Sequence, residues 1–141
     1  MRFQALATFF DRHADTFLKG DLDVVAAQFI TPIPVYAGED LLVLPDAAAL
    51  RRALATFRWA LVADGITQMT SQIDAVELPH DGVQQIWLSW HYAGDTGLVR
   101  RKDRVTYVVR GAADGDAARI EMIHFTQLAY PEIVHRFALA K

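Results

Sequence analysis

Cysteine is absent from the 141 residues. Its absence excludes disulfides, thiolate metal sites and cysteine nucleophiles, and it fits a reducing compartment, with the cytoplasm as the default address. No stretch approaches the ~20 consecutive apolar residues that cross a bilayer, so no membrane partner is expected. The N-terminal apolar run through Phe10 is broken by Asp11, Arg12, His13 and Asp15 with no small-residue cleavage site behind it, and reads as a helix and not as an export signal. A basic surface is missing too. The formal net charge is -3, the sequence pI is near 5.9, and no long run of like charge occurs, which argues against nucleic acid as a partner.

Motifs that carry chemistry are equally scarce. His13, His80, His91, His124 and His135 form no HxH or HExxH arrangement, so no metal site is expected. Asp114-Gly115-Asp116 lacks the regular oxygen ligands and final glutamate of a calcium loop and reads as a hairpin turn. There is no glycine-rich phosphate cradle and no nucleophile elbow, and no cofactor is expected.

What the chain does hold is apolar material: 52% of its residues are hydrophobic against 22% charged, enough to bury a core in one domain spanning residues 1–141. Phe3, Leu6, Ala7, Phe10, Ala14, Phe17 and Leu18 recur at helical spacing, and Gly20 stands where a helix would stop. Asp21 is placed to cap a second, shorter helix through Val24, Val25 and Phe29, ended by Pro32 and Pro34. Val35-Tyr36-Ala37 and Leu41 to Leu44 flank Gly38-Glu39-Asp40, the pattern of a short hairpin. After Pro45 and a capping Asp46, the spacing of Leu50, Leu54, Phe57 and Leu61 predicts a third helix from Ala47 to about Ala63. Strand-like alternation then fills Ile66 to Leu78, Val83 to Gly94, Leu98 to Arg110 and Ala118 to Tyr130, and weak helical spacing returns from Glu132 to Lys141. Three helices, a hairpin and four long strands make an α+β domain whose antiparallel strands bury one face beneath the helices.

This order of elements resembles the nuclear transport factor 2-like superfamily, in particular its SnoaL-like branch. The likeness covers nearly the whole chain and rests on the paired N-terminal helices, the Pro-Val-Tyr hairpin leading into a third helix, and the final strand Arg119-Ile-Glu-Met-Ile-His-Phe-Thr126. It implies a strongly curved sheet forming a cone, a small-molecule pocket between its concave face and the helices, and dimerisation across the outer face. The superfamily includes ketosteroid isomerases, scytalone dehydratases, limonene epoxide hydrolases and polyketide cyclases, together with members that catalyse nothing, so the fold alone names no reaction.

Alternation sorts the strand residues by face, and a slip of one position would reverse a strand. Arg100, Lys102 and Arg104 are easiest to place in water, which turns Arg101, Asp103, Val105, Tyr107 and Val109 inward. Ile86, Leu88, Trp90 and Tyr92 are the inner set of the preceding strand, leaving Trp87, Ser89 and His91 outside. For the last strand the inner choice is Ile120, Met122, His124, Thr126 and Leu128, with Glu121, Ile123, Phe125 and Gln127 outside. Tyr36, Trp90, Tyr92, Asp103, Tyr107 and His124 are then the candidate ligand-binding residues, suited to a small apolar or aromatic molecule. Trp87, Ile123 and Phe125 are the candidate homodimer surface, because that much apolar area is rarely left in water.

Asp103 and His124 are the candidate catalytic pair. A strand aspartate enclosed by aromatics is disfavoured in its charged form and can donate a proton. Its place in Asp103-Arg-Val-Thr-Tyr107 is similar to the strand aspartate of the ketosteroid isomerase oxyanion hole, a resemblance not joined here by a first-helix tyrosine or a second aspartate base. The plainer alternative pairs Asp103 with Arg101 or Arg104. His124 can act as acid or base near neutral pH, or simply be a core histidine. Three readings stand: a binding domain, a cofactor-independent isomerase, dehydratase or cyclase, and a non-catalytic interaction module.

Overall fold

A computed structural model describes residues 3–111 and 118–133. The turn expected at Asp114-Gly115-Asp116, and the expected C-terminal helix beyond Ile133, lie outside the described residues. Within them are three helices, α1 (Phe3–Lys19), α2 (Leu22–Ala26) and α3 (Ala47–Ala63), and six strands, β1 (Ile33–Ala37), β2 (Asp40–Leu44), β3 (Gln68–Val76), β4 (Val83–Ala93), β5 (Val99–Arg110) and β6 (Arg119–Gln127). The strands form one curved sheet in the order β2-β1-β6-β5-β4-β3, antiparallel throughout except where β1 runs parallel to β6.

The helices sit where their apolar spacing puts them. α1 buries Leu6, Phe10, His13, Ala14 and Phe17 against the sheet. It stops at Gly20, whose φ of +85° suits a residue without Cβ. There the Gly20 N–H donates to the Phe17 carbonyl at 3.0 Å and the Asp21 N–H to the Thr16 carbonyl at 3.2 Å, a Schellman closure. Arg58 of α3 donates to the Leu18 carbonyl at 3.0 Å, so one helix helps to cap another. Asp46 caps α3 as expected, accepting from the Ala49 N–H at 2.9 Å. The second helix differs from expectation: α2 ends at Ala26 and the Asp21 side chain makes no capping bond. The chain beyond it is drawn off by β6, since the Ile120 N–H donates to the Gln28 carbonyl and the Ile30 N–H to the Ile120 carbonyl, each at 2.8 Å.

The inner faces of β4 and β5 follow the alternation. Ile86 pairs with Tyr107, Leu88 with Val105 and Trp90 with Asp103, and all six are buried. The inner set expected for β6 is overturned beyond Ile120. Val109 pairs with Ile120 but Val108 pairs with Met122, so Glu121 is an extra residue, a bulge that shifts the alternation by one. Ile123, paired with Tyr107, and Phe125, paired with Val105, consequently face inward, while Met122 and His124 face out. A second shift beside Arg104 leaves Thr126 exposed and turns Leu128 back toward the interior.

His13 is a buried ionisable group that couples this core to pH. It stacks on Trp90 with centroids 6.1 Å apart. Its Nδ1 lies 2.6 Å from Gln28 Oε1, an oxygen that can only accept, so Nδ1 carries the hydrogen. Burial, only partly opposed by that hydrogen bond, pushes its pKa below the ordinary 6.5. The unfolded chain therefore binds the proton first. Stability is full above about pH 6.5 and falls as pH drops from there toward the folded-state value, by up to ~1.4 kcal/mol per pH unit for one proton. Urea unfolding across this range should show the slope in the wild type and a flatter limb in His13→Gln. An equally steep limb in the variant would assign the slope to other groups.

Candidate functional site

Between α3, the β1–β2 hairpin and the inward side of β6 lies a cavity of about 110 Å³. Its wall is built from Phe29, from Val35, Leu42 and Leu44 of the hairpin, and from Leu50, Ala53, Leu54 and Phe57 of α3. Ile123, Phe125, Leu128, Tyr130 and Ile133 close the remaining side. Val35, Leu44, Leu54, Phe57, Phe125 and Leu128 in this wall are only half-buried. Among the described residues the single charged side chain in the wall is Asp103.

Asp103 is 2% exposed. Its Oδ1 accepts the Ala129 N–H at 2.6 Å and its Oδ2 accepts the Tyr92 hydroxyl. Burial raises its pKa above the ordinary value, and the bonds from Tyr92 and Ala129 oppose that rise without cancelling it. Tyr92, itself buried and beside the carboxylate, has its pKa raised and keeps its proton to donate. Behind it the Trp90 indole N–H donates to the Tyr107 hydroxyl at 2.8 Å. Together these rings form a hydrogen-bonded layer beneath the cavity.

Neither arginine expected to neutralise Asp103 does so. Arg101 shares its face of β5, yet its Nε lies 3.0 Å from Asp64 Oδ2 and its Nη1 donates to the Ala129 carbonyl at 2.7 Å. The same guanidinium covers the Tyr130 ring at 4.4 Å. Arg104 is exposed. Asp64 at the end of α3 also accepts the Tyr130 hydroxyl at 2.7 Å, and this bond, ahead of Arg100 and Arg101, holds its pKa below the aspartate range. The cluster of Asp64, Arg100, Arg101 and Tyr130 thus ties α3 and β5 to the segment that supplies Ala129 and Tyr130 to the site.

Of the six candidate ligand-binding residues, Asp103 is on the cavity wall. Trp90, Tyr92 and Tyr107 point to the concave side as expected but are packed into the core beneath the wall. Tyr36 and His124 are corrected: they pair across β1 and β6 on the outer face, rings 5.9 Å apart, with Tyr36 37% exposed. His91, between Thr70 and Lys102, is on that face also. The catalytic pair of Asp103 with His124 is therefore split between opposite faces of the sheet. Ile123 and Phe125, expected at the dimer surface, line the cavity instead. The lining residues of α3 and the hairpin carried no sequence mark beyond apolar spacing. The step of three between Ile120 and Ile123, followed by Phe125 two residues on, was the available sign of the bulge.

Among the described residues no three histidine, aspartate or glutamate side chains come together to hold a metal ion. No helix among them is long and apolar enough to cross a membrane.

The family model described as NTF2-like protein (DUF6841) matches residues 4–125. No curated protein matches the chain. Among solved structures, Aln2 from a Streptomyces species is similar over 95% of this chain and 93% of its own, at 17% identity and a TM-score of 0.63. ActVI-ORFA from Streptomyces coelicolor is similar over 89% of this chain and 93% of its own, also at 17% identity and a TM-score of 0.63. An NTF-2 like protein of unknown function from Shewanella oneidensis shares 12% identity over 89% of this chain and 98% of its own, with a TM-score of 0.64. At these identities the likeness is one of fold.

The raised pKa of Asp103 has a consequence for stability. Above the ordinary aspartate value of 3.8 the unfolded chain is ionised before the folded one, so stability falls as pH rises from there through the folded-state pKa. Asp103→Asn removes that titration. The stability of the variant relative to wild type should increase as pH is raised from the acid side to neutrality, followed by denaturant unfolding. A difference that stays flat, or shrinks, would mean that the carboxylate is not held out of water.

Proposed function

Because the chain belongs to the NTF2-like family, we propose that it is a binding protein whose cone holds one small, largely apolar molecule, and that it works as a homodimer in the cytoplasm. The observation that carries the first part is the composition of the cavity wall, whose described residues are aliphatic or aromatic apart from Asp103. Its volume of about 110 Å³ is of the order of the ~150 Å³ apolar cavity that takes up benzene, which sets the scale of the ligand near one ring. The absence of cysteine fits a reducing compartment.

The second part rests on the outer face of the sheet. Trp87, Thr106, His124, Tyr36 and Leu41 stand in one lateral row across five strands, each beside the next. Trp87 is 38% and Leu41 49% exposed, and Val43 lies two residues along on the same side. A second copy of the chain laid on this row would take an aromatic and aliphatic band out of water. With Ile123 and Phe125 turned inward, Trp87 is the retained member of the expected surface.

Native mass spectrometry of the purified protein tests the binding reading: a small molecule bound one per chain is expected, and it should be lost from Ala53→Phe, whose ring would fill the cavity. A ligand-free protein that also gives no thermal shift with toluene would contradict it. The dimer predicts a solution mass twice the 15.8 kDa of the chain, falling toward one chain in Trp87→Glu. A wild-type monomer at micromolar concentration would refute the dimer.

A further inference from the structure

The hydrogen bonds to Asp103 specify the charge of what it receives. Both neighbours are donors: a backbone N–H cannot accept, and the Tyr92 hydroxyl has its proton directed to Oδ2. This is the bonding of an ionised carboxylate. A protonated one would have the Tyr92 oxygen as its acceptor, and the Tyr92 hydrogen would then lose the partner it has in Oδ2. Yet no cation of the described residues neutralises that charge, because Arg101 is committed to Asp64, the Ala129 carbonyl and the Tyr130 ring. The site is therefore bonded for a negative charge and buried against it. Burial leaves the pKa raised, in keeping with a charge only partly compensated. Each carboxylate oxygen keeps a lone-pair direction beyond the donor it already accepts, and Phe29, Phe57 and Phe125 stand in the same wall.

We infer that the cavity takes a small protonated amine, an ammonium group on an apolar body of about one ring, seated with its nitrogen on Asp103. This rests on the reading of the cavity as a binding site and gives that site its ligand class. The ammonium supplies a counter-charge that none of the described residues gives and donates to the free lone pairs. Its carbon body meets the aliphatic wall, and the ring faces favour the cation. A carboxylate or phosphate on the same body is repelled by Asp103, and a neutral alcohol offers a hydrogen bond without the charge.

Isothermal titration of the intact protein near neutral pH with benzylamine, benzyl alcohol, toluene and benzoate tests this. Benzylamine should bind at least about tenfold more tightly than benzyl alcohol, a difference of ~1.4 kcal/mol, and benzoate should not bind. Asp103→Asn should bring benzylamine down to the level of benzyl alcohol. The wild-type ranking decides the matter even if the variant folds poorly. Benzyl alcohol or benzoate equalling benzylamine would overturn the amine while leaving the cavity reading intact. Failure of every probe, toluene included, would overturn the cavity reading and the amine with it.

Discussion

Asp103 holds a carboxylate in the wall of an apolar cavity, and moving such a group out of water costs several kcal/mol even after the protein relaxes around it. Two donors answer it, the Tyr92 hydroxyl and the Ala129 N–H. Hydrogen bonds to a charged group contribute roughly 1.5–3 kcal/mol each, which offsets most of the cost and leaves the remainder that the raised pKa expresses. Much of the neighbouring structure serves this arrangement. Phe57 and Tyr130 meet the Tyr92 ring edge-on, Arg101 holds the Ala129 carbonyl so that the N–H of the same residue meets the carboxylate, and Asp64 keeps Arg101 away from Asp103. Drawing Arg101 to Asp103 would quench the charge and remove the site's one polar demand.

The bulge at Glu121 decides which surface does what. By adding one residue to β6 it sends Ile123 and Phe125 to the cavity and His124 to the outer row beside Tyr36. The two faces of the sheet thus differ: an apolar chamber with one carboxylate among its described residues, and a band of partly exposed aromatics and aliphatics. Acid-base chemistry shared between Asp103 and His124 is ruled out by this geometry, since the sheet itself stands between them.

Much of the fold was legible in residue spacing. Helical periodicity marked α1 and α3 to within a residue or two, Gly20 and Asp46 marked their ends, and β4 and β5 followed the alternation from Ile86 to Tyr92, with Lys102 and Arg104 on the outer side; it breaks at Arg100, an extra residue between Val99 and Arg101 that turns to Asp64. The placement of Asp103 among aromatics came from the same alternation. What could not be read was long-range. The chain after α2 is held by Ile120, far along the sequence, which donates to the Gln28 carbonyl and accepts the Ile30 N–H. The partner of Arg101 is Asp64, which belongs to another element. The face of His124 turns on one extra residue that local propensity does not signal. The cavity wall was missed for a related reason: Leu42, Ala53 and Leu54 come to line one cavity only when the hairpin and α3 are brought over β6.

The most direct test of the account is a carbon-detected NMR titration of the Asp103 carboxyl in the wild-type protein. An isolated, buried carboxylate should titrate above the ordinary aspartate value of 3.8, its pKa held up by burial. Saturation with benzylamine should move that midpoint downward as the ammonium supplies the counter-charge. A midpoint at or below 3.8 in the free protein would mean that a cation or solvent already reaches the group, and would contradict the account.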